Sequence, residues 1–98
     1  MMDLRGLNPI AVQAGLTVGA TAVGLTLPTS GLKPSAAMIS VYTANVRYLI
    51  DGTTVTATTG HLAAPGDTLY LLNYKELTQF SAIREGGTSA TLEVTYYK

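Results

Sequence analysis

From Val46 to Tyr97 the chain is cut every few residues by turn-forming pairs, and that spacing leaves room for short strands and for little else. Asp51-Gly52, Pro65-Gly66-Asp67 and Gly86-Gly87 supply the punctuation, because glycine accepts the positive φ that tight turns demand and aspartate caps its own backbone. Between the turns, apolar and polar residues alternate with the period of a half-buried strand. The clearest case is Ala90 to Tyr97, with Leu92, Val94 and Tyr96 on one face and Thr91, Glu93, Thr95 and Tyr97 on the other. Val46 to Asp51 sets Val46, Tyr48 and Ile50 against Arg47, Leu49 and Asp51. Ala36 to Thr43 sets Ile39 and Val41 against Met38, Ser40 and Tyr42.

The remaining segments fit the same scheme. Thr53 to Thr59 is polar and β-branched, as an edge strand or an extended loop would be. Thr68 to Leu72 carries the run Leu-Tyr-Leu-Leu, which predicts burial on both faces, and Phe80 to Arg84 returns to strand. Pro28 to Pro34 is a loop by composition. Only Asn73 to Gln79 has a helical option: Asn73 is placed to cap and Glu76 stands third in the helix, which predicts a single turn. Six or seven strands without a long helix predict an all-β fold, a small antiparallel β-sandwich or jelly-roll-like barrel.

The segment before Lys33 needs a separate decision, because no ionisable side chain occurs between Arg5 and Lys33. A membrane span needs about 20 predominantly apolar residues. Ile10 to Leu27 is diluted by Gly15, Gly19, Gly24, Thr17, Thr21, Thr26 and Gln13, and a secretory signal would need a compact apolar centre that is missing here. An extended N-terminal arm over residues 1–15 fits better, followed by a strand with Val18, Ala20 and Ala22 on one face and Gly19, Thr21 and Val23 on the other. The single sandwich domain then covers residues 16–98. No membrane association is expected.

Composition narrows the function. Apolar residues make up 47% of the chain and charged residues 12%, about half the usual charged share, so much of the surface is neutral. Six acids balance six bases. A chain without net positive charge lacks the basic face that phosphate backbones require, so nucleic acid is not an expected partner. Weak charge repulsion favours association, and a homo-oligomer or an assembly component is expected. No cysteine is present, which excludes disulfides and thiol chemistry.

Residues able to perform chemistry are sparse. His61 is the only histidine, following Gly60 where a loop could present it, and it would need Asp51 or Asp67 to orient it and a serine opposite to form a hydrolytic arrangement. As a zinc ligand it would need carboxylate partners. The acids Asp51, Asp67, Glu76, Glu85 and Glu93 are dispersed, without the spacing of a calcium loop. The chain is therefore expected to be no enzyme and to carry no catalytic residue, metal or cofactor. Six of its seven aromatics are tyrosine. Tyr48 and Tyr96 fall on apolar faces, whereas Tyr42, Tyr74 and Tyr97, together with His61, are the candidates for surface contact with another protein or, less favourably, a carbohydrate.

One pattern carries a resemblance. The series Val46-Arg47-Tyr48, Asp51-Gly52-Thr53, Thr58-Thr59-Gly60-His61, Gly66-Asp67-Thr68, Phe80-Ser81-Ala82-Ile83-Arg84 and Ala90-Thr91-Leu92-Glu93-Val94-Thr95-Tyr96-Tyr97 resembles small virion proteins of tailed bacteriophages over roughly residues 16–98. The resemblance implies a β-sandwich building block of the particle, assembled in the host cytoplasm. Head decoration or cement proteins are favoured, with the major capsid protein as partner and a trimer as the assembly. A tail, neck or fibre component, including one that binds host-surface glycan, is the alternative. In the decoration reading, Leu4, Leu7, Pro9, Ile10 and Val12 anchor the arm on neighbouring subunits, burying apolar area at about 25 cal/mol per Å² less the ordering entropy of the segment.

Overall fold

A computed structural model describes residues 6–28 and 33–98. The chain forms β1 (Pro9–Val18), β2 (Ala36–Tyr42), β3 (Val46–Leu49), β4 (His61–Ala63), β5 (Thr68–Leu71), the short helix α1 (Tyr74–Gln79), β6 (Ser81–Arg84) and β7 (Ala90–Tyr97). Two antiparallel sheets result, one of four strands in the order β1-β7-β2-β5 and one of three in the order β4-β3-β6. They pack together as an all-β sandwich.

The alternation in sequence explains the packing. On β2, Ala37, Ile39 and Val41 are buried, and on β7 Ala90, Leu92, Val94 and Tyr96 are buried. From the second sheet Val46, Ala63 and Ala82 meet them, and Leu77 of α1 and Phe80 close the same cluster. No polar or charged residue is buried among the described residues, so the core contains no charge to be neutralised.

α1 forms where its capping residues allow it. The Asn73 side chain accepts the Glu76 backbone N–H at 2.9 Å, and Glu76 Oε1 accepts the Leu72 N–H at 2.7 Å. The helix thus satisfies two otherwise unpaired amide groups at its start, and Leu77 anchors it to the core.

Several expectations are corrected. Residues 9–15, read as part of an arm, form the first part of β1, which pairs antiparallel with β7 from Pro9↔Tyr97 to Val18↔Ala90. Reciprocal bonds of 2.9 Å between Asn8 and Lys98 extend the ladder further. Pairing removes the need for a free arm, because β7 would otherwise present an unsatisfied edge. The strand expected around Val18 to Val23 instead ends at Val18. The chain then crosses between sheets, and Val23 bonds reciprocally to Ala82 at 2.9 Å while Gly19 accepts from Arg84 at 3.0 Å.

Asp51-Gly52 makes a turn, with Gly52 at φ 89° and Asp51 Oδ1 accepting from Thr53 at 2.9 Å. That backbone bond holds the Asp51 carboxyl below its ordinary value. The turn does not close a tight hairpin, however, because β3 pairs with β4 across the loop of residues 50–60. Arg47 secures this loop, donating from Nε to the Ala57 carbonyl at 3.1 Å and from Nη1 to the Gly60 carbonyl at 3.0 Å. β5 alternates like its neighbours: Leu71 is buried and Leu69 packs against the core, while Tyr70, on the outer face of the sheet opposite Met38, is 53% exposed rather than buried. Among the described residues no helix is long and apolar enough to cross a membrane.

Candidate functional site

The registers of the four-stranded sheet place its outward side chains in rows. Val12 stands opposite Thr95, Thr95 opposite Met38, and Met38 opposite Tyr70, which makes one row across all four strands. A second row runs Thr17, Thr91, Tyr42, and a third runs Pro9, Tyr97, Ala36, of which Ala36 is fully buried. Between them lie Glu93, Ser40 and Thr68. Five large apolar or aromatic side chains are conspicuously exposed among the described residues, and three of them, Val12 at 65%, Tyr42 at 49% and Tyr70 at 53%, belong to this face. Glu93 is the one charged residue in these rows. Its Oε1 accepts the Gly15 backbone N–H at 3.1 Å, made possible by a bulge between Gln13 and Leu16 in which Gly15 takes φ 67°.

An open groove of about 400 Å³ is lined by Leu7, Pro34, Leu72 and Tyr74, with Lys33 and Lys98 contributing charge. The Lys33 ammonium sits 4.2 Å from the Tyr74 ring centroid, within the range of a cation–π contact. The Lys98 ammonium donates to the Lys33 carbonyl at 3.2 Å. A shallower recess of about 280 Å³ lies beside Val12, Leu27 and Pro28. At its base the Tyr96 hydroxyl lies 2.9 Å from Gln13 Oε1 and 3.0 Å from the Thr26 carbonyl, and Gln13 Oε1 also accepts the Thr26 N–H at 3.1 Å. Burial pushes the Tyr96 phenol up to about 12.

The structure sorts the candidates read from sequence. Tyr42 and Tyr97 share the outer face of the four-stranded sheet, joined there by Tyr70, which sequence reading placed in the interior. Tyr74 lies in the groove instead. His61 is exposed at the start of β4 in the other sheet, where its ring meets Tyr48 at 5.5 Å between centroids. Of the proposed anchors, Val12 and Pro9 fall on the outer face and Leu7 lines the groove. Ile10 packs against the core and so acts as a structural residue, while Leu4 lies outside the described residues.

Asp51 and Asp67 each cap a turn, Asp67 Oδ2 accepting from Ala64 at 2.8 Å. Among the described residues no three of the histidine and carboxylate side chains gather as a metal site requires. Compared with known proteins, the chain matches no family, no curated protein and no solved structure.

The outer face was missed for a definite reason. Alternation shows which residues of a strand share a side. Which strands stand together, and therefore which outward residues become neighbours, depends on pairing between distant segments.

Proposed function

We propose that this chain is a non-enzymatic structural protein of a tailed-bacteriophage particle, with a head decoration or cement role favoured, working through protein–protein contact. The observation that carries the contact reading is the outer face of the four-stranded sheet, where Val12, Tyr42 and Tyr70 are exposed and Glu93 is the sole charge. These three side chains stand apart, separated by Thr95, Met38, Ser40 and Glu93, so the reading rests on a broad face poor in charge that carries tyrosine, a residue enriched at protein contacts. The viral setting is supported by the resemblance of the turn and strand residues. In the glycan-binding alternative one face of Tyr74 is already taken by the Lys33 ammonium, 4.2 Å from its ring centroid.

Quantitative mass spectrometry of purified particles tests this reading. A copy number in the hundreds supports a shell protein, whereas about a dozen copies or fewer indicate a ring at the neck or tail. Absence from the particle overturns the proposal.

A further inference from the structure

We infer that residues 19–28 are a strap that opens as a unit while the two sheets stay folded, and that the Tyr96 hydroxyl, together with Gln13, is its latch. The strap is separate from the outer face on which the proposed function rests.

The strap runs from one sheet to the other and back. Leaving β1 at Val18, the chain reaches the outer edge of β6, where Gly19 accepts from Arg84 and Val23 exchanges both backbone bonds with Ala82. Without it, Ala82 and Arg84 would present unpaired backbone groups along that edge. The chain then returns to β1, the edge strand of the four-stranded sheet. There the Thr26 N–H donates to Gln13 Oε1 at 3.1 Å, and the Thr26 carbonyl lies 3.0 Å from the Tyr96 hydroxyl, which also reaches Gln13 Oε1 at 2.9 Å.

Its attachment is slight beside that of the strands. None of residues 19–28 is fully buried, and Val23, Leu25 and Leu27 are only partly buried against the core. The bond pair between Val23 and Ala82 is an isolated bridge rather than part of a ladder. β2, by contrast, is paired along both edges and buries Ala37, Ile39 and Val41. Segments with few buried apolar contacts and few backbone bonds open at lower free energy than the fold as a whole. The register of β6 makes such opening readable. Ala82 and Arg84 donate outward to the strap, and because alternate residues of an antiparallel strand point their amides to opposite sides, Ser81 and Ile83 donate to β3, opposite Leu49 and Arg47. Neighbouring amides of one strand are thus guarded by two different structures.

Native-state hydrogen exchange of the full chain, followed residue by residue by NMR, tests the inference. The amides of Val23, Thr26, Ala82 and Arg84 should be protected at least about tenfold less than those of Ile83 and of the ladder between β2 and β7. Low concentrations of urea should speed exchange at Ile83 but not at those four, because opening the strap exposes little surface. Ile39→Val lowers the stability of the sheets without removing a strap bond, so it should speed Ile83 about fivefold and leave the four unchanged. Tyr96→Phe should speed Thr26 and Val23 about fivefold, through loss of the latch. If the four amides follow Ile83 in protection, in urea dependence and in their response to Ile39→Val, no strap opens separately and the inference falls. If Tyr96→Phe leaves Thr26 exchange unchanged, the hydroxyl is not the latch.

Discussion

Gly60 is the residue whose identity the backbone most strictly requires. Its φ is 131°, and an added Cβ would lie 2.8 Å from Val55 Cγ2 and 3.1 Å from the Tyr48 carbonyl. Both obstacles are part of the fold, since Val55 is buried and Tyr48 stands in β3. Gly60→Ala should therefore destabilise the protein by about 2 kcal/mol or more in urea unfolding, while Gly87→Ala, with nothing near its Cβ position, should change it by less than about 0.5 kcal/mol. Tyr96 is the second such residue, because its ring belongs to the core and its hydroxyl joins β1 to the segment around Thr26. Its phenol rises to about 12 in the folded protein against about 10 when unfolded. A raised value means that the unfolded chain releases the proton first. The contribution to stability is complete below pH 10 and is lost as pH climbs from 10 towards 12. Melting temperatures measured across that window should fall less steeply in Tyr96→Phe than in the native chain, although at neutral pH the variant loses about 1 kcal/mol with its hydrogen bonds.

Among the elements, α1 shows how much a short segment depends on its cap. Six residues cannot sustain a helix alone; Asn73, Glu76 and the buried Leu77 hold it in place. Asn73→Ala should lower stability by about 1 kcal/mol, with the change seen in the urea midpoint and little change in slope. β1 gives the opposite lesson. As an arm it could be removed without harm to the fold, but as a paired strand it cannot. Deleting residues 1–12 removes Ile10 and Ala11 from the core margin and leaves part of β7 unpaired, which should cost about 3 kcal/mol. Deleting residues 1–6 spares the described pairing, which begins at Asn8. That shorter deletion is the one able to test whether the first residues contribute to particle binding.

At the scale of the whole molecule, the dominant feature is that the first strand and the last lie side by side, closed by the Asn8 and Lys98 bonds. Such pairing requires most of the chain to be organised before its ends can meet, which slows folding relative to proteins built from local contacts. Stopped-flow refolding should accordingly show a main phase between about 1 and about 1,000 s⁻¹, well below the rate of a helical bundle. The all-β class, β2, β7 and the capped turn of helix were legible in sequence, because alternation, glycine turns and an Asn-to-Glu spacing are local signals set by side-chain geometry. Tertiary structure alone decided the partner of each strand. Residues 9–15 looked free because their apolar residues do not alternate strictly, and the bulge at Gly15 that accommodates β7 has no signature without β7 beside it. Tyr70 looked buried because a run of apolar residues does not reveal whether both faces of the sheet are covered, and here only the face of Leu69 and Leu71 is. The outer face arose for the same reason: local forces orient side chains along a strand, but only long-range hydrogen bonding brought Val12, Thr95, Met38 and Tyr70 into one row.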